Sequence, residues 1–216
     1  MYVPSSFAET DLKTLHRFIE EHSFATLITN AEGSAFASHL PLLLDRSVGE
    51  FGQLIGHLAK ANPQSDQLQN QRLLTIFHGP HAYISPAWYE SDHTVPTWNY
   101  QAVHVYGSCT LETDPAQLKR ILEKYVSFYE AAQPLPWSIP DSDTDFVDSL
   151  LPAIVGFRIQ IERIEGKFKL NQNHSAERQQ KVINALRQQA GENQQPIADQ
   201  MQAHLHQNEN DTPSRS

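Results

Sequence analysis

Apolar positions along this chain fall into two rhythms. Leu12, Leu15, Phe18 and Ile19 recur at helical spacing after the start signal Thr10-Asp11. From Phe24 to Thr29 the pattern shortens to an apolar, β-branched run, and residues 30–33 read as a turn. Residues 35–44 predict a second strand interrupted by Pro41, whose missing N–H marks an edge, a bulge or a ligand-facing position. Residues 53–57 predict a third strand. Asn62-Pro63 then opens a helix, with Asn as the cap and Pro at the first helical position. Residues 73–78 and 82–85 predict a fourth and a fifth strand, the latter ended by Pro86.

In the second half, Val103, Val105, Cys109 and Leu111 alternate with His104, Tyr106, Ser108 and Thr110. This predicts a long strand with two different faces that passes through Gly107. Asp114-Pro115 caps a helix carrying Leu118, Ile121, Leu122, Tyr125 and Phe128, and a Pro- and Asp-rich connection over 133–145 leads to a short apolar helix over 146–151. Phe157, Ile159 and Ile161 mark a final strand over 154–164, and residues 175–189 predict a helix. Beyond Gly191 the chain is rich in Gln, Asn and Asp, so residues 188–216 are expected to be a disordered polar tail on a domain spanning 1–187. Six to seven strands and three or four helices, without strand–helix–strand alternation, give a mainly β fold with peripheral helices (α+β). An antiparallel barrel suits this pattern better than a doubly wound parallel sheet.

Composition narrows the function classes. The 216 residues carry a net charge of -9, which repels a phosphate backbone, so direct nucleic-acid binding is not expected. Cys109 is the only cysteine; it cannot close an internal disulfide and reads as a small buried side chain of a cytoplasmic protein. Neither a signal-peptide pattern nor an apolar run of membrane-spanning length is present, and no membrane association is expected.

The densest chemistry lies in residues 77–107, FHGPHAYISPAWYESDHTVPTWNYQAVHVYG. Flat aromatic faces, ring nitrogens and hydroxyls on a Pro-stiffened frame suit a planar, polar-edged ligand; the competing account is an aromatic core at a dimer contact. Within this segment, Trp98 and Tyr100 offer stacking and Asn99 a two-way amide. In GHLAKANP, residues 56–63, a helix start flanked by His57 and Lys60 makes either an anion site or an ordinary capped helix with a surface lysine. His39 stands in an otherwise apolar strand, where a hydrogen-bonded structural role competes with ligand contact. GKFKLNQN, residues 166–173, places Lys167 and Lys169 beside polar amides. No GxSxG, HExxH, GxGxxG or GxxxxGK element is present, so nucleophile elbow, zinc, dinucleotide and P-loop chemistries are not indicated.

Taken together, MYVPSSF (1–7), HLPLLL (39–44), GHLAKANP (56–63), FHGPHAYISPAWY (77–89), VPTWNYQAVHVYG (95–107) and IVGFRIQIERIEGKFKLNQN (154–173) resemble the PaiB-like family of FMN-binding split barrels, described as negative transcriptional regulators. The resemblance implies a split β-barrel acting as a homodimer, with FMN in the cleft between protomers. It implies that the strand of His39, Leu40 and Pro41 lies along the isoalloxazine edge, and that the turn holding His57, Lys60 and Asn62 takes the phosphate. Trp98, Asn99 and Tyr100, with Lys169, Gln172 and Asn173, would close the cleft. One position departs from the family's KLSQN: Asn171 replaces the serine. Three functions follow as expectations: a flavin-binding regulator acting by an indirect route, a flavin reductase-like NAD(P)H-dependent oxidoreductase, or a haem-binding or haem-degrading split barrel using some of the 11 histidines.

Overall fold

Alternation of buried and exposed side chains builds the sheet. The computed structural model describes residues 1–31, 33–89, 94–142 and 144–211; Glu32 of the expected turn and His93 of the aromatic segment lie outside them. The strands are β1 (Ala8–Glu9), β2 (Phe24–Ala31), β3 (Ser34–Pro41), β4 (Leu43–Asp45), β5 (Gln53–Ala59), β6 (Arg72–Ile84), β7 (Thr97–Glu112) and β8 (Ile154–Lys169). The helices are α1 (Leu12–Glu21), α2 (Pro115–Glu130), α3 (Thr144–Leu150), α4 (Ala176–Arg187) and α5 (Gln194–Asp211). The chain divides into two compact units, one of Met1–Leu15, His78–Val103 and Glu165–Ser216, the other of His16–Phe77 and His104–Ile164.

The sheet has the strand order β3-β2-β6-β7-β8-β5-β4. Its resolved pairings are antiparallel: β2 runs against β3 from Phe24↔Pro41 to Ala31↔Ser34, and β5 against β8 from Gln53↔Gln160 to Ala59↔Ile154. β3 ends the path, so Pro41 sits on an edge strand, where a missing donor is tolerated. Gly107 is obligatory for a local reason: a side chain there would collide with the Gln160 carbonyl. Ile121 and Tyr125 of α2 pack on Leu43 and Ile55, which is the face that the 118-121-125 spacing anticipates. In the first unit β1 pairs with β8 through Ala8↔Lys167 and Glu9↔Gly166, while α4 and α5 bury Val182, Ile183, Leu186, Ile197, Ala198 and Met201 against Ala82, Ile84, Tyr89 and Leu170.

Several expectations require correction. The predicted fourth and fifth strands are one strand, β6, which runs through Gly79-Pro80. The buried phase moves from 73, 75 and 77 to 82 and 84 across that pair, so a change of face had the signature of a break. β8 extends to Lys169, placing Lys167 and Lys169 on a strand instead of a loop. The helix opened by Asn62-Pro63 is a five-residue 3-10 turn over Pro63–Gln67. The region 188–216 is not structureless: α5 occupies Gln194–Asp211 and buries Ile197, Ala198, Met201 and Leu205.

Candidate functional site

The candidate residues fall into two groups, one in each unit. In the second unit, Leu40 is buried and Pro41 half-buried at the end of β3, while His39 is exposed and its Nδ1 lies 3.0 Å from Thr26 Oγ1 on the paired strand. His57 is half-buried on β5. Its ring meets the edge of Tyr125 at 5.0 Å, and its Nδ1 is buried without a partner. Burial holds its pKa below the ordinary histidine value, so the ring is neutral near pH 7. Tyr125 donates to the carbonyls of Pro41 (2.7 Å) and Ile55 (2.9 Å), tying α2 to both strands. Burial pushes its hydroxyl pKa upward, which keeps it a donor.

The Asn62 amide is occupied by local structure. Its Oδ1 accepts from the Gln64 N–H (2.9 Å), and its Nδ2 donates to Ser38 Oγ (2.9 Å). A 3-10 turn of five residues sums little dipole, so the helix-start argument for an anion here loses its physical basis. Lys60 keeps its charge free: its ammonium has no acidic partner among the described residues.

In the first unit the structure assembles an aromatic and cationic surface. Trp98 on β7 is 52% exposed and Tyr83 on β6 is 46% exposed. Their rings approach edge-on at 5.9 Å, and His81 lies 6.1 Å from Trp98. Alternation places residues 81 and 83 on one face of β6. Lys169 donates to Thr97 Oγ1 and to the Trp98 carbonyl (2.9 Å), which fixes the start of β7 against the end of β8. Burial, and then the charge of Lys167, hold the Lys169 pKa below the usual lysine value. Lys167 donates to the Tyr2 carbonyl (3.1 Å), with its ammonium 5.5 Å from the Tyr2 ring and 5.3 Å from that of Tyr100. Half-exposed rings beside two ammonium groups fit a planar anionic ligand.

The remaining candidates are structural or peripheral in this geometry. Asn99 is fully buried; its Nδ2 donates to Met201 Sδ (3.3 Å), and its Oδ1 is buried without a partner. The Gln172 amide closes its own turn, accepting from the Leu170 N–H (2.7 Å) and donating to the Phe168 carbonyl. Asn173 is exposed. Asn171 explains the KLNQN departure: its φ is 63°, a left-handed conformation that asparagine tolerates better than serine. Its Nδ2 also donates to the Tyr89 hydroxyl (2.8 Å). The Cys109 thiol is buried and its pKa is pushed up to about 12 by desolvation, which removes it from nucleophilic chemistry.

Sequence reasoning singled out neither His81, Tyr83 nor Tyr2 as a site residue. The first two were legible as alternating aromatics in 81–84, but Pro80 and Pro86 disguised that stretch as a short separate strand.

Comparison with known proteins gives these surfaces a context. Residues 1–163 match the family described as "Putative FMN-binding domain". The chain is 36% identical over 209 residues to "Protease synthase and sporulation protein PAI 2" of Bacillus subtilis (strain 168), covering 95% of this chain and 98% of that one. Among solved structures it is similar to the flavocytochrome Anf3 from Azotobacter vinelandii, with a TM-score of 0.54 and 15% identity, covering 75% of this chain and 69% of the other. The FAD and heme binding protein from Mycobacterium smegmatis gives a TM-score of 0.52 at 12% identity, over 75% and 73% of the two chains. The mainly antiparallel sheet with its peripheral helices is a split β-barrel of the FMN-binding type. No helix among the described residues is long and apolar enough to cross a membrane.

Proposed function

Since the chain belongs to the FMN-binding-domain family and aligns with the Bacillus subtilis protein over nearly its whole length, we propose that it is an FMN-binding protein of the PaiB type that works as a homodimer. The observation that carries the ligand reading is the half-exposed Trp98–Tyr83 pair beside Lys169 and Lys167. In this reading Trp98 stacks on the flavin ring and the two lysines supply positive charge to an anionic ligand. His39, Leu40, Pro41, His57, Lys60 and Asn62, and likewise Asn99, Tyr100, Gln172 and Asn173, are the further positions whose substitution tests the family's ligand set. Bound FMN would contribute two-electron and one-electron redox chemistry; the residues here bind and orient it.

Dimerisation is supported by the exposed edge of β3 and by Phe24, which is 68% exposed on the neighbouring strand. An effect on transcription, which the resemblance implies, would run through the flavin or a partner, because a net charge of -9 opposes direct DNA contact. The test is the visible spectrum of the purified protein together with FMN titration of the wild type and Trp98→Ala. Flavin bands in the purified protein, quenching of tryptophan emission, and a Trp98→Ala apoprotein that loses FMN affinity but under about 2 kcal/mol of stability support the proposal. A Soret band without flavin bands, or unchanged FMN affinity in the variant, defeats it. NADH or NADPH oxidation by the holoprotein then separates a reductase from a sensor.

A further inference from the structure

A cavity of about 540 Å3 lies wholly within the second unit, between α2, the end of α3 with the turn after it, and the start of β8. Its size is within the range of small-molecule sites. Leu118, Leu151, Pro152, Ile154 and Val155 give it apolar walls, and Lys60 and Lys119 are the two cationic residues of its lining. They differ in one respect. Lys119 is neutralised by Asp148, whose Oδ1 lies 2.8 Å from its Nζ, whereas Lys60 has no such partner among the described residues. The backbone fixes Lys60 at this place through its N–H, which donates to the Ala153 carbonyl (2.8 Å) in the same turn that forms the wall. The cavity thus presents apolar walls and one uncompensated positive charge.

We propose that this cavity is a binding site for a small apolar monocarboxylate, with its carboxylate on Lys60 and its apolar body against Leu118, Leu151 and Val155. A dianionic phosphate fits the site less well, since Lys60 offsets only one of its charges and the walls are mainly apolar. A neutral apolar molecule leaves the Lys60 charge without a counter-ion. The proposal takes Lys60 out of the family's phosphate set and gives it to this cavity; it is independent of the Trp98 surface, because none of the aromatic residues assigned to the flavin lines the cavity.

The probe pair is 2-naphthylacetate and its neutral amide, titrated calorimetrically into the full-length protein. The acid is expected to bind with one site per chain and the amide more weakly. Lys60→Met should weaken acid binding about fivefold, the upper range for an exposed ion pair, and leave the amide unchanged. Ala116→Phe, which fills the cavity from its α2 wall, should abolish both, with a circular-dichroism spectrum matching wild type. Trp98→Ala should bind the acid normally, which separates a failure here from a failure of the flavin proposal. Equal affinity for acid and amide, no response to Lys60→Met, or binding that survives Ala116→Phe in a folded protein would overturn the proposal, as would competitive displacement of the acid by FMN.

Discussion

Replacing Met201 by alanine tests whether the C-terminal helix belongs to the folded core. Met201 is fully buried in α5 among Val182, Ile183, Leu186 and Ile197. The change deletes three heavy atoms, worth about 2–2.5 kcal/mol at roughly 0.8 kcal/mol for each buried methylene equivalent. Two further effects add to this. The surrounding helices relax incompletely and leave a cavity. The Asn99 Nδ2 also loses the sulfur it donates to, in a residue whose Oδ1 is already unpartnered. The expected loss is about 3 kcal/mol, within the measured span for Met-to-Ala changes in cores. For a chain of this size that lowers Tm by about 6–12 °C. Urea denaturation followed by tryptophan fluorescence and far-UV circular dichroism reads it directly. Met201→Leu, which keeps the volume, should cost under about 1.5 kcal/mol. Gln202→Ala, which removes only an exposed contact with His206, should stay within about 0.5 kcal/mol of wild type. A Met201→Ala loss no larger than that of Gln202→Ala would refute the placement of α5 and return 188–216 to a solvated tail.

Three further outcomes follow from local geometry. Asn171→Ala should cost about 1–3 kcal/mol, since it removes the buried bond to the Tyr89 hydroxyl and leaves a Cβ residue at φ 63° without the tolerance of asparagine; Asn171→Gly should recover the strain but not the bond, and a variant as stable as wild type in thermal melts would contradict this account. Burial lowers the pKa of His57, as it does for His22, His78, His174 and His204, so the unfolded chain binds protons that the native chain refuses. Their contribution is complete above the unfolded value near 6.5 and is lost as the pH falls below it; His57→Phe should flatten part of that acid limb in melts from pH 7 to pH 5, and an unchanged limb would show that His57 is not a contributor. Cys109 should react with an aromatic disulfide reagent at pH 8 only after denaturant is added, and rapid labelling of the native protein would contradict its burial and raised pKa.

Local patterns in the sequence determined much of this protein. The alternation from Val103 to Leu111, the Asp114-Pro115 start of α2, and the Ser175 cap of α4 each depend on neighbours within a few residues, so they could be read without knowing the fold. The family motifs likewise carried the split-barrel assignment. Residues 197, 198, 201 and 205 held the helical spacing of α5 as well, but four apolar side chains in a background of Gln, Asn and Asp resemble a tail until α4 supplies the surface that buries them. Tertiary structure also decided that β6 continues through Gly79-Pro80, because a change of buried face is indistinguishable from a break when only one strand is in view. It decided that Asn62-Pro63 starts a short 3-10 turn, because Gln64 is pulled into the interior to bond the Leu27 carbonyl. It decided the candidate site in the same way. Trp98, Tyr83 and Lys169 are far apart in sequence and come together only because strand pairing fixes which residues share a face and an end. Such pairing joins distant parts of the chain, and no window along the sequence contains it.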